Sequence, residues 1–156
     1  MLRRWLALGG VLGAFSCTQA PPDAPPELRQ QDPPALSAEH LSALQSTTLP
    51  ARVDRERVAA GATVFLGEGN CFICHGEDGK GARGVGADLT DQEWLHNDGS
   101  PEAIARQIRT GVAQAESQSV WGAAMPSRGG SSIDDQQVEA VAAYVWSLRL
   151  LEAPSG

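Results

Sequence analysis

Large aromatic side chains are scarce in this 156-residue chain, with Phe, Trp and Tyr supplying 5% of it. A domain this poor in bulky apolar groups either stays small or completes its core with something that is not protein. Positive charge is scarce too: 12 Lys and Arg face 19 Asp and Glu, a net charge of -7 that becomes -9 once Arg3 and Arg4 are set aside. That balance argues against a protein held by nucleic acid phosphates and points to partners with basic surfaces, with simple solubility as the alternative reading. The three cysteines exclude a disulfide framework, because Cys71 and Cys74 are three residues apart and Cys17 stands alone in an N-terminal leader. No apolar run reaches the ~20 residues of a membrane-spanning helix, no segment alternates as a strand does, and no repeat is visible. These absences leave one small all-α domain.

The leader itself is informative. Residues 1–16 read as a secretory signal peptide, with Arg3 and Arg4 before an apolar run from Trp5 to Phe15 and small residues around Ser16. Cys17 admits two readings. Ala14-Phe15-Ser16-Cys17 resembles a bacterial lipobox, which would make Cys17 a lipid anchor; the alternative is cleavage after Ala20, which the following Pro21 disfavours. Acyl chains, at about 0.8 kcal/mol per buried CH2, would hold such a protein to a membrane. Residues 17–52 are then a linker. Its first part, 18–34, carries Pro21, Pro22, Pro25, Pro26, Pro33 and Pro34 and no apolar periodicity, so it is expected to be extended and unpacked. At about 3.1 Å per residue it would reach on the order of 50 Å. Ser37 to Gln45 has the form of a short capped helix, and the packed domain is expected over residues 53–151.

The chemistry is concentrated at Cys71-Phe72-Ile73-Cys74-His75. Two thiols at this spacing can each add to one vinyl group on the same edge of a porphyrin, and the next residue is a histidine able to ligate the iron. Zinc sites and thioredoxin-like redox pairs also use Cys-x-x-Cys. A zinc site would want a second ligand pair, which His40 and His96 do not make, and a thioredoxin motif would want a strand before it. With His75 adjacent and an export signal upstream, one covalently attached haem c is the expected cofactor. Apart from Met1, the chain has a single methionine, Met125, fifty residues after His75 and followed by Pro126. A lone methionine is ordinarily a core filler. Here it follows a Gly-rich stretch and becomes the candidate second ligand to the iron, with His96 or His40, or an open position, as alternatives. A sulfur ligand opposite histidine raises the reduction potential and closes the iron to substrates.

Periodicity supplies the scaffold. Asp54 to Gly67 reads as a helix with Val58, Ala62 and Phe65 on one stripe, and Gly61 beside them suggests a close helix crossing. Thr90-Asp91-Gln92-Glu93 has the form of a capping box, so a short helix is expected from Asp91 to about His96. Ser100 before Pro101 starts another, with Ile104 and Ile108 on one face and Gly111 as its stop. The last helix is expected to begin at Ser132 as cap, with Asp134 and Asp135 in its first turn, and to bury Val138, Val141, Ala142, Val145 and Leu148.

From Val58 to Leu150 the chain resembles a class I c-type cytochrome, and within that class it is most similar to the cytochrome c domains of cbb-type haem-copper oxidases. The resemblance rests on Gly61 with Phe65, Cys71 to Gly76, Gly79 with Gly81, Asp88 to Asp91, Trp94, Ile108 with Gly111, Met125-Pro126, Ala143 to Val145 and Ser147-Leu148. It implies a small fold of about four helices around one haem, with Cys71 and Cys74 as thioether donors and His75 and Met125 as axial ligands. It also implies a crossing of the first and last helices near Gly61 and Tyr144. The family often has proline at the position of Ala87, whose carbonyl would accept the second N–H of His75. Trp94, Arg109 and Trp121 are candidates for contacts to the haem propionates. The implied role is one-electron transfer in the bacterial periplasm between redox proteins, by a carrier or an accessory subunit with no catalytic residues of its own. A haem-based gas sensor or haem enzyme with a labile sixth ligand is the alternative.

Overall fold

The computed structural model describes residues 36–82, 84–119 and 121–151. The leader, Cys17 and the Pro-rich part of the linker lie outside the described residues. Five α-helices follow in order: α1 (Ala38–Ser46), α2 (Arg55–Leu66), α3 (Phe72–His75), α4 (Pro101–Thr110) and α5 (Asp135–Leu148). Two single 3-10 turns, Gln114–Glu116 and Ser127–Gly130, lie between α4 and α5. The described residues contain no β-strand, only one isolated bridge between Val112 and Met125.

Helix α5 is the centre of the fold because its sequence is apolar almost all round. Every residue from Ala140 to Leu148 is buried. Helix α2 crosses it at Gly61, where a Cβ would fall 2.0 Å from the Ala140 carbonyl oxygen and 2.8 Å from Tyr144 Cβ. Only a residue without a side chain permits that approach. Phe65, one turn further on, meets the Tyr144 ring edge-on at 5.2 Å between centroids, and Val58 and Ala62 complete the buried stripe. Helix α4 packs its Ile104 and Ile108 into the same core. Its ends follow the expected chemistry: Ser100 Oγ accepts the Ala103 N–H, Pro101 occupies the first turn, and Gly111, at φ 73°, donates its N–H to Gln107 O.

Three expectations need correction. Packed structure already includes Leu36, well before Val53: His40 and Leu44 of α1 are buried, and Leu36 and Leu49 pack against the core. The short segment carries too few apolar residues to announce a buried face by periodicity alone. The helix expected from Asp91 to His96 does not form. Asp88 Oδ1 takes both the backbone N–H and the hydroxyl of Thr90 at 2.8 and 2.7 Å, and Asp91 Oδ1 takes the Glu93 N–H, so local turns satisfy the groups that a helix start would have used. Finally, α5 is capped by Asp134, not Ser132. Asp134 accepts from the Gln137 backbone at 2.8 Å while the Gln137 side chain accepts from the Asp134 backbone at 2.8 Å, a reciprocal capping box. We therefore expect Asp134→Ala to lower stability by about 1 kcal/mol in urea unfolding, with Ser132→Ala within about 0.5 kcal/mol of wild type; equal effects would mean that the cap lies elsewhere.

An ion-pair ladder runs along the outside of this core. Arg52 bridges Glu102 and Glu139 at 3.0 and 3.2 Å, Arg109 bridges Glu139 and Asp135 at 2.6 and 3.2 Å, and Arg128 reaches Asp135 at 2.7 Å. Each such surface pair contributes little singly, but together they join the segment after α1 to α4, α5 and the turn that follows Met125.

Candidate functional site

Cys71 to His75 coils into the single turn of α3, with Cys74 N–H and His75 N–H both donating to Cys71 O at 3.2 and 3.0 Å. Gly76, at φ 77°, ends it. The chain then folds back over the turn: Gly81 N–H donates to His75 O at 2.7 Å and Ala82 N–H to Cys74 O at 2.8 Å. Gly86 lies so close beneath that a Cβ there would sit 2.3 Å from Cys74 O and 3.1 Å from His75 Nδ1. This contact brings the Ala87 carbonyl to 2.9 Å from His75 Nδ1.

That bond decides what His75 can do. A carbonyl only accepts, so Nδ1 carries the proton and Nε2 keeps its lone pair. Burial pushes the His75 pKa down, against a smaller opposing effect of the Ala87 hydrogen bond, which keeps the ring neutral at neutral pH. A neutral imidazole with a fixed tautomer is the state a metal requires. A proline at position 87 is not needed for this bond, because the acceptor belongs to the backbone.

His75 lines two adjoining cavities of about 360 and 80 Å³ that share Cys71, Ala87, His96, Gln107 and Met125 among their walls. The smaller, inner one is walled by Phe65, Leu89, Trp94, Ile104, Ile108 and Val145, with Asp88, Glu93, His96, Asn97 and Gln107 as its polar lining. The larger opens outward past Cys74, Val85 and Ser117. Met125 enters both from a loop whose base is closed by two hydrogen bonds, Val112 N–H to Met125 O at 2.8 Å and Met125 N–H to Val112 O at 3.0 Å. Beyond it, Ser127 Oγ donates to Arg109 O at 2.5 Å, and Arg128 donates to Ile133 O at 2.8 Å.

The donor set suits a covalently held haem. Two thiols, one neutral imidazole and one thioether line the same space, and Phe65, Leu89, Ile104, Ile108 and Val145 give the inner cavity a largely apolar wall. The Cys71 thiol is pushed up to about 11, mainly by burial. A thioredoxin-like nucleophile needs the opposite shift, toward the thiolate. Among the described residues, no group of three or more His, Cys, Asp and Glu side chains is arranged to hold a metal ion on its own.

Of the other candidates, the structure keeps some and moves others. His96 lines both cavities. His40 does not: it is buried on the far side of α5, with Nε2 2.8 Å from Ser147 Oγ. Trp94 lines the inner cavity, whereas Arg109 is engaged by Asp135 and Glu139, and Trp121 is 73% exposed outside the cavity walls. Sequence reasoning missed Gln107, which sits on α4 beside the expected core residue Ile108 and lines both cavities. A polar residue on the apolar stripe was the available signal.

The family described as cytochrome c oxidase, cbb3-type, subunit III, matches residues 56–145. A cbb3-type cytochrome c oxidase subunit CcoP from Rhodobacter capsulatus is 39% identical over 98 residues, covering 61% of this chain and 30% of the relative. A subunit FixP of the same oxidase type from a Bradyrhizobium species is 40% identical over 92 residues, covering 58% of this chain and 27% of the relative. The CcoP subunit of Cereibacter sphaeroides is 59% identical over 39 residues, 24% of this chain and 13% of the relative. The chain thus spans less than a third of the length of these relatives. No solved structure matches it.

Proposed function

Because this chain belongs to the family of the cbb3-type cytochrome c oxidase subunit III, we propose that it is a monohaem c-type cytochrome that carries single electrons between redox proteins in the bacterial periplasm. The observation that carries the proposal is the Ala87 carbonyl bonded to His75 Nδ1 at 2.9 Å, which leaves Nε2 as a bare donor in a cavity that Met125 also lines. Cys71 and Cys74 would hold the haem through two thioethers, and His75 and Met125 would be its axial ligands. When bound, the haem supplies a one-electron couple at its iron. The chain's own residues do the rest. Gly86 and Ala87 fix the imidazole, the Val112 pairing fixes the methionine, and Phe65, Ile104, Ile108 and Val145 keep water from the inner wall. An apolar wall of this kind, with a sulfur ligand, favours the reduced, less charged state of the site.

In this reading the lipid anchor is Cys17, and residues 18–34 are the tether that lets the domain reach its donor and acceptor. Among the described residues no helix is long and apolar enough to cross a membrane. The acidic charge balance, with Asp88, Asp91 and Glu93 on the cavity wall, fits partners with basic docking surfaces.

The test is the optical spectrum of the holoprotein beside Met125→Ala. The ferric wild type is expected to show the weak far-red charge-transfer band of sulfur-to-iron ligation, and the variant to lose it and bind carbon monoxide rapidly when reduced. A wild type that lacks the band and takes up carbon monoxide as fast as the variant would sink the carrier reading in favour of a sensor or a haem enzyme.

A further inference from the structure

Gln107 is a polar side chain on the apolar face of α4, between the buried Ile104 and Ile108. Its orientation is set by a chain of hydrogen bonds that begins at a backbone group. The Gly99 N–H donates to Asn97 Oδ1 at 2.7 Å. A backbone N–H has only one role, so the oxygen of Asn97 is fixed there and its amino group points the other way. That amino group donates to Gln107 Oε1. The relay therefore occupies the oxygen of Gln107 and leaves its Nε2 hydrogens as the outward end of the chain. It starts where it cannot be displaced cheaply, since Gly99 is at φ 72° and packs against the Trp94 ring.

The same helix end is tied to Met125. Gln107 O accepts the Gly111 N–H at 2.7 Å, and the next residue, Val112, makes the two-bond pairing with Met125. At Gly111 a Cβ would lie 2.2 Å from Met125 O, so the two segments are in van der Waals contact. Gln107 and Met125 line both cavities together. No lysine or arginine lines either cavity among the described residues, so the amide is the donor that the helix itself brings to the methionine side.

We propose that Gln107, oriented by Asn97, donates an amide N–H to the thioether sulfur of Met125 and thereby raises the reduction potential of the site. The inference rests on Met125 being an axial ligand. A thioether is a weak acceptor, and a donor on it draws electron density from the sulfur, which makes the ligand poorer for the oxidised metal than for the reduced one. Asn97 acts only through Gln107 and is a positioning residue.

The experiment compares holoprotein of wild type, Gln107→Leu, Asn97→Ala and the double variant, each poised at one ambient potential with a redox mediator. A neutral hydrogen bond is worth about 0.5–1.5 kcal/mol, so the ratio of ferrous to ferric protein in Gln107→Leu is expected to fall roughly two- to tenfold. The far-red band of the ferric form should persist and move. Asn97→Ala should give a smaller fall in the same direction, and in the Gln107→Leu background it should give none, because the two side chains act as one unit. An unmoved band with the same fall in the ratio would place the amide on another acceptor and overturn the sulfur assignment. Additive effects, or no effect of Gln107→Leu, would overturn the relay. Absence of the band from wild type would instead remove the Met125 ligation on which the inference stands, so the two failures are distinguishable. Thermal unfolding of the same four proteins separates a shifted potential from a loosened fold.

Discussion

Gly61→Ala is expected to destabilise the domain by about 3 kcal/mol, although the substitution improves intrinsic helix propensity. In an exposed helix the exchange would gain about 1 kcal/mol. Here the new methyl would stand 2.0 Å from the Ala140 carbonyl oxygen, and a backbone atom in the middle of α5 cannot move aside alone. The helices must separate, which loosens Phe65 against Tyr144 and opens the inner cavity wall; overpacking of this kind costs 1–3 kcal/mol and sometimes more. Urea unfolding of the two proteins decides it. A variant as stable as wild type would mean that α2 and α5 do not cross at this residue. The effect is large against the 5–15 kcal/mol that holds an ordinary domain together.

The second large effect concerns pH and the docking of α1. His40 is 3% exposed, and its Nε2 lies 2.8 Å from Ser147 Oγ, which itself donates to the Tyr144 carbonyl at 2.6 Å. Ser147 therefore accepts from Nε2–H. Burial lowers the His40 pKa below 6.5, against an opposing effect of hydrogen bonding at Ser147. The unfolded chain takes up its proton near pH 6.5, the folded one only at lower pH. Stability from this site is thus complete above pH 6.5 and is lost as pH falls toward the folded pKa, by at most about 1.4 kcal/mol per pH unit. Glu39, Asp78, Lys80 and Tyr144 border the same space. Hydrogen-exchange protection factors at the α1 amides, which correct for the intrinsic slowing of exchange in acid, should fall below pH 6.5 in wild type. In His40→Gln that fall should vanish, and its persistence would assign the pH dependence to another group.

How much of this was legible beforehand follows from where each signal resides. The ends of α2 and α4 are encoded locally, by Asp54, Ser100, Pro101 and Gly111, and local chemistry can be read from a chain. The Gly61 crossing was also visible, since a glycine inside an apolar stripe has few other uses. Cys71, Cys74, His75 and Met125 stood out by residue type and spacing, and the structure brings all four around adjoining cavities. What escaped notice depends on distant partners. Residues His40 and Leu44 become a core surface only because Ser147 and its neighbours on α5 receive them, 107 positions away in the case of the hydrogen bond. Thr90 offered a capping box, but Asp88 two residues earlier captured its donors first. Asn97 and Gln107 look like ordinary surface amides until the fold puts one against the other.

The pairing of Val112 with Met125 has a consequence for variation. It closes residues 113–124 into a loop with its own hydrogen-bonded base, so its length is decoupled from the placement of Met125. Doubling such a loop costs only about 0.6 kcal/mol in closure entropy. Ser117, Ser119, Ala123 and Ala124 of this loop form part of the outer cavity wall, and Trp121 stands exposed between them. The segment is thus an interchangeable cassette: its sequence can be rewritten to change what the outer wall presents while the methionine and its helix stay in place.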